Sequence, residues 1–319
     1  MVTTRSQLPW VLLLAAILIG LAAGTYGAVK KIDYSWRWHR VPQYFAYYGE
    51  NAQKIPFDGR VETITKKGGT AEVTLVSEGK TTQVLVVDAD ALEVSEGEDL
   101  FEGDIVGFQH AWRPGPLMVG LWTTMWLSAI SSVLALLIGL IAGLFRVSKN
   151  FTLRWLSTIY VEFIRGTPLL VQIFIAYFFV GTVFNLDRNV AGIGALSIFA
   201  GAYVAEMVRA GIQAIPPGQM EAARSLGMNI FQAMRYIILP QAFKKILPPL
   251  AGQFISLIKD SSLVSVIAIT DLTKSGREII TSTFATFEVW LTVAAMYLVV
   301  TSLLSQVVYY LERRMAVSD

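Results

Sequence analysis

Between Arg113 and Arg146 the chain runs for 32 residues without a charge. At about 1.5 Å per residue, such a run is longer than the roughly 30 Å hydrocarbon thickness of a bilayer. Several more runs follow the same pattern. Arg5 and Lys30 bracket 24 uncharged residues, Gly166 to Leu186 supplies 21, Asn189 to Ala205 supplies 17, and Val289 to Leu311 supplies 23. With 54% hydrophobic and only 16% charged residues, the chain has too much apolar sequence for one soluble core, so lipid is part of its solvent.

The individual spans differ in kind. Leu8 to Ala28 reads as an anchor, since no clear A-x-A site follows it, with a cleaved signal peptide, Arg5 its n-region, as the alternative. Beyond Ala205, the residues Glu206 and Arg209 carry the fourth run into an interface or a wet interior. From Lys245 to Asp271 the apolar sequence is cut by Lys259 and Asp260 into pieces of 13 and 10 residues, which together make one interrupted span. The expected fold is mainly α and polytopic: an anchor over 1–29, an extracytoplasmic segment over 30–113, and a five-helix membrane domain over 114–319. Lys and Arg concentrate in loops on the cytoplasmic side, and 11 of the 15 cations after residue 113 fall in such loops when both termini are placed in the cytoplasm.

Composition excludes several functions. Cys is absent, which removes disulfides, thiolate metal sites and cysteine nucleophiles. The two histidines, His39 and His110, have no metal-ligand spacing, so neither metal nor cofactor is expected. A net charge of +2 does not fit nucleic-acid binding. No nucleophile, base and orienting partner assemble from the residue types present, and a membrane-tethered enzyme is the weakest reading.

The segment from 29 to 113 carries 14 acids against 10 bases and reads as a separate, solvated region. Val61 to Thr65, Ala71 to Val76, Thr81 to Val87 and Asp104 to Phe108 are strand-like, divided by Lys66-Lys67-Gly68-Gly69, Glu78-Gly79-Lys80 and Glu102-Gly103. They predict a small antiparallel β barrel or sandwich over about 55–108. Before it, Trp36, Trp38, Tyr44, Phe45, Tyr47 and Tyr48 crowd into a stretch that fits an interfacial helix or hook. Gly79-Lys80-Thr81 imitates the end of a phosphate-binding loop, but Thr74 stands where the first glycine is required.

The longest cytoplasmic loop, Arg209 to Lys245, has a distinct grammar. Pro216-Pro217-Gly218 opens a short helix, Gly227 closes it in a left-handed conformation, and Asn229 with Gln232 starts a second helix that Pro240 stops or kinks. Glu221-Ala222-Ala223, then Gly227, then Ile237-Ile238-Leu239-Pro240 have the spacing of the E-A-A-x3-G-x9-I-x-L-P signature. Arg165-Gly166-Thr167-Pro168-Leu169-Leu170-Val171-Gln172, Ala202-Tyr203-Val204-Ala205-Glu206 and Lys259-Asp260-Ser261-Ser262-Leu263 accompany it. Over about 117–314 the chain resembles the permease subunits of ATP-binding cassette importers, in the polar amino acid uptake branch. The resemblance implies a subunit of the bacterial inner membrane that hydrolyses no ATP itself. It also implies ATP-binding subunits inside, an amino-acid-binding protein outside and a second permease copy. Gly218, Glu221, Ala222, Ala223, Gly227 and Pro240 would form the coupling helix and its elbow.

Candidates for the substrate path are the charged or polar residues of the apolar core: Lys259, Asp260, Glu206, Arg209, Glu162, Arg165 and Gln172. A zwitterion needs one positive and one negative partner, and mid-span charges are costly against lipid, by roughly 2.5–3.5 kcal/mol each. Glu162 with Arg165 and Glu206 with Arg209 are each spaced for local pairing. Phe199 stands where the family often has Asn. Gly139 and Gly143 have the small-xxx-small spacing of a close helix contact. An ion- or proton-coupled secondary transporter or channel, with Lys259 and Asp260 as the relay, is the alternative.

Overall fold

The computed structural model describes residues 8–31, 34–77 and 82–316. They fall into two compact units, Met1–Arg40 and Val41–Asp319. The first contains α1 (Leu8–Lys31), whose last turn carries Lys30 and Lys31 where the helix dipole favours cations. Its Pro9–Gly27 stretch is long and apolar enough to cross a membrane. Trp36 stacks on Trp38 at 5.7 Å and meets Tyr34 edge-on at 5.3 Å.

The second unit begins with α2 (Val41–Phe45), and β1 (Ala46–Lys54) follows directly. The aromatic stretch expected to form a hook is therefore divided, with Tyr47 and Tyr48 lying in a strand. β1 pairs antiparallel with β6 (Ile105–Pro114), from Ala46 opposite Pro114 to Lys54 opposite Ile105. Between these strands lie β2 (Gly59–Lys67), β3 (Thr70–Ser77), β4 (Thr82–Asp88) and the two-residue β5 (Asp99–Leu100). They form a second antiparallel sheet in the order β4-β3-β2-β5. Lys67 faces Thr70 across Gly68 and Gly69, and Gly68 takes φ 64°, as a two-residue hairpin turn requires. Along β3, Ala71, Val73 and Leu75 point inward to meet Ile55, Val61, Val87 and Val106 in a dry core, while Glu72 and Thr74 alternate outward. The expected β domain is present. The mimic of a phosphate loop at Gly79-Lys80-Thr81 lies outside the described residues.

The membrane part starts at α3 (Pro116–Arg146), with proline in its first turn, where the missing N–H costs nothing. α4 (Phe151–Arg165) is capped by Asn150, whose side chain accepts from the Leu153 N–H at 3.2 Å. α5 (Leu169–Phe174), a wider π turn over Ile175–Gly181 and α6 (Thr182–Phe184) continue from it. The two arms, Phe151–Arg165 and Leu169–Phe184, are bent by 105°. α7 (Arg188–Gln213) is capped by Asp187. The loop helices α8 (Pro217–Ser225) and α9 (Ile230–Ala233) lead through a π turn, Met234–Ile238, into α10 (Leu239–Asp260). A 3-10 segment, Ser261–Ile267, joins α10 to α11 (Leu272–Thr283), and α12 (Thr286–Ala316) closes the described chain. Among the described residues, five helical segments are long and apolar enough to cross a membrane, or six if the bent pair counts as one span.

The helix does not stop at Pro240, because the Leu239 N–H reaches back five residues to the Met234 carbonyl and opens the turn that the proline ring would otherwise crowd. Pro248 and Pro249 lie inside α10, and the interruption of this span comes only after Asp260.

Candidate functional site: a docking loop and the charges behind it

The loop after α7 is folded by local rules. Pro217 sits in the first turn of α8, and Gly227 takes φ 85° at the helix end. The Met228 N–H donates to the Ala223 carbonyl at 3.2 Å and the Gly227 N–H to the Arg224 carbonyl at 3.1 Å, the paired bonds of a Schellman closure. Arg224 Nη1 donates to the Met228 carbonyl at 3.0 Å and holds the elbow from outside. The next helix opens with a capping box, in which Asn229 Oδ1 accepts from Gln232 N–H at 2.8 Å and Gln232 Oε1 accepts from Asn229 N–H at 2.9 Å. Both expectations from Gly227 and from the Asn229–Gln232 spacing are therefore realised.

The faces of α8 separate two roles. Ala223 is buried against its own chain, so its small size serves internal packing. Gly218, Glu221 and Ala222 are exposed. A Cβ added at Gly218 would meet nothing within 4 Å, so no local crowding demands glycine there. Around these residues the loop exposes Leu226 (82%), Phe231 (72%), Ile230 and Tyr236, side chains that no motif spacing singles out. Their signal in the sequence is large apolar residues in an otherwise polar loop. The base of the loop is fixed by Lys245, whose Nζ donates to the Ala214 carbonyl at 2.8 Å, and by Gln241, which reaches Gln219 Oε1 at 3.4 Å.

Behind the loop, the charges of α3, α4 and α7 meet. Glu206 Oε1 accepts from Arg209 Nε at 3.0 Å and from its Nη2, and Arg209 Nη1 donates to Gln213. Arg146, which no motif had marked, places Nη2 3.6 Å from Glu162 Oε1 and 3.5 Å from Glu206 Oε2. Arg165 does not pair with Glu162 and instead lies over the Tyr203 ring at 5.3 Å. The Glu206–Arg209 pair forms as its spacing predicts, whereas Glu162 turns to a different helix.

The remaining candidates lie elsewhere. Gln172 is buried and donates through Nε2 to the Ile164 carbonyl at 2.8 Å and to Thr167 Oγ1 at 2.8 Å, stapling the bend between α4 and α5. Lys259 is exposed and Asp260 half-buried, and among the described residues neither has an ion-pair partner. Their neighbour Leu257 packs with Leu127, Leu196 and Ala200, so α10 is anchored to the bundle while Lys259 points away from it.

Residues 135–317 match the family described as binding-protein-dependent transport system inner membrane component. The chain belongs to that family. It is 39% identical over 210 residues to the glutamine transport system permease protein GlnP of Escherichia coli (strain K12), a match covering 65% of this chain and 96% of that one. It is 44% identical over 199 residues to the probable glutamine ABC transporter permease protein GlnM of Bacillus subtilis (strain 168), covering 62% and 92%. Among solved structures, an amino acid ABC transporter crystallised with histidines aligns with a TM-score of 0.59 and 43% identity, over 62% of this chain and 94% of that one. The inward-facing MetNI methionine ABC transporter aligns with a TM-score of 0.56 at 22% identity, over 62% and 95%, a likeness of fold. The family is one of multi-pass inner-membrane transport subunits, and the loop with the E-A-A spacing lies inside the matched region.

Proposed function

We propose that this chain is the membrane-spanning permease of an ATP-driven importer for polar amino acids, glutamine among them, and that it carries no ATPase site of its own. The supporting observation is the α8 loop: a rigid elbow, closed by Gly227 and capped by Asn229, that presents Glu221, Ala222, Leu226 and Phe231 outward. A solvated loop gains nothing from exposing such apolar side chains unless a partner covers them, and the ATP-binding subunit is that partner. An amino-acid-binding protein delivers substrate on the opposite side, and a second permease copy completes the membrane part. With the loop in the cytoplasm, both termini are cytoplasmic and residues 30–113 extracytoplasmic. Lys259 and Asp260, which have no ion-pair partner among the described residues, border the path, while Glu206 pairs with Arg209, Glu162 turns to Arg146, Arg165 lies over Tyr203 and Gln172 holds the bend. Uptake of radiolabelled glutamine by proteoliposomes holding this chain, its ATP-binding subunit and its binding protein tests the reading. Uptake is expected to require internal ATP and to need no membrane potential; uptake driven by an ion gradient without the ATPase overturns it.

A further inference from the structure

We propose that Arg146 is a positioning residue for transport, a shared tie that makes the ends of α3, α4 and α7 follow the movement of α8 together. The inference rests on the importer reading. It starts from an excess: Glu206 already has Arg209, so local neutralisation leaves nothing for another cation to do. Arg146 is nevertheless drawn in, with its side chain only 13% exposed, at the last turn of α3. It stands almost equally far from two carboxylates on different helices, 3.6 Å from Glu162 on α4 and 3.5 Å from Glu206 on α7. Charge-assisted N–H···O bonds close to about 2.7–2.9 Å. Both contacts are longer than that, and Arg146 Nη1 and Glu206 Oε2 are buried without a hydrogen bond. The guanidinium is therefore poised between two acceptors and shortens one contact only by lengthening the other.

The tie connects to the lever through named contacts. Glu206 leads to Arg209 and Arg209 to Gln213, the last residue of α7. The following carbonyl, that of Ala214, is clamped by Lys245 at 2.8 Å, and α8 begins three residues later. Below Arg146, α3 and α7 are already in backbone-close contact, since a Cβ at Gly143 would meet the Ala205 carbonyl at 2.8 Å. A shift of α8 thus moves α7 and α3 as one body; α4 is held to them along its length by Ser157 Oγ donating to the Ala142 carbonyl at 2.6 Å and the Tyr160 hydroxyl donating to the Ile198 carbonyl at 2.7 Å, and the Glu162 contact adds a charged tie at the end nearest the loop. An element with two discrete arrangements that both ends can bias is the physical requirement for such coupling.

The test uses the complete complex in proteoliposomes, with radiolabelled glutamine, histidine and arginine and with ATP hydrolysis measured in parallel. Arg146→Met is expected to lower uptake per ATP hydrolysed by about tenfold while KM for uptake and the rate of hydrolysis stay near wild type. Arg146→Lys should recover only part, because a single ammonium cannot fork between two carboxylates. Glu162→Gln, at an exposed carboxylate, should give a smaller loss that adds nothing in the Arg146→Met background. A raised KM with unchanged stoichiometry would make Arg146 a substrate contact and overturn the proposal, as would normal coupling in Arg146→Met. If Arg146→Met fails to assemble, Glu162→Gln decides: partial uncoupling supports the tie and normal coupling overturns it. Absence of ATP-driven uptake by the wild-type complex would instead count against the importer reading.

Discussion

The β domain and the helix α3 obey opposite packing rules within one chain. In the domain, Val61, Val73, Leu75 and Val106 are sealed between two sheets while charged residues face out. In α3 the pattern is reversed: Leu127, Ser131, Ala135, Gly139 and Gly143 form the inner stripe, and Val133, Leu137 and Ile141 face outward. From Ser131 to Gly143 of α3, size more than polarity decides which residue faces the neighbouring helix. Water drives the domain's large apolar side chains together, but lipid offers no such gain, so helices adhere where small residues let backbones approach.

That contrast is most exposed to attack at Gly139. A Cβ there would lie 2.8 Å from the Gly201 carbonyl and would press on Val204, so Gly139→Val should cost about 3 kcal/mol or more through overpacking. The readout is loss of monodisperse, folded protein in detergent, and a fully stable variant would break the claim that close backbone contact holds α3 to α7. Gly227→Val, in open space but at φ 85°, should cost about 1–2 kcal/mol of backbone strain and uncouple hydrolysis from uptake without loss of insertion. Gly218→Ala separates strain from space and should leave the stability of the folded chain unchanged, because its new methyl would meet nothing within its own chain.

The domain side of the comparison gives smaller effects. Lys54 faces Ile105 at the end of the β1–β6 ribbon, so excising residues 55–104 joins two neighbouring strand ends. The core should still insert and hydrolyse ATP with its partner, while affinity for the binding protein falls by about tenfold, or about 1.4 kcal/mol. Unchanged affinity would defeat a positioning role for the domain. The smallest effect concerns His110, whose Nδ1 lies 2.6 Å from Asp88 Oδ2 and whose Nε2 lies 3.5 Å from Glu50 Oε1. The hydrogen bond to Asp88, with the further charges of Glu50 and Asp90, raises the imidazole above its ordinary value of 6.5. The His110 N–H and ring hold the Asp88 carboxyl below its ordinary 3.8. The histidine's contribution is complete below 6.5 and lost as pH rises through its raised value; the aspartate's is present above 3.8 and lost on acidification. Hydrogen exchange along β4 and β6 in the intact chain should quicken modestly as pH rises from 6 to 8, after correction for intrinsic exchange, and His110→Gln should remove that dependence.

Much of this was legible in the sequence because the signals are local. Charge-free length gave the spans, Gly227 and the Asn229–Gln232 pair gave the elbow, and Gly68-Gly69 gave a hairpin. What escaped depends on partners far along the chain. β1 becomes a strand by pairing with β6, from Ala46 opposite Pro114, and nothing in its aromatic residues announces that register. Arg146 gains its place from Glu162 and Glu206 on two other helices, and Glu162 passes over its neighbour Arg165 to reach it. Pro240 reads as a stop or a kink because a regular helix cannot accommodate it, and the wider turn before it removes the clash.

The extra residue held in the Met234–Ile238 turn fixes the rotational phase of everything after it. One residue is worth about 100° around a helix axis, so this insertion sets which way α10 aims its polar end for a given aim of the elbow. The angular relation between the elbow and the polar end of α10 is thus stored as a count of residues, and losing or gaining one would turn one against the other by about that angle.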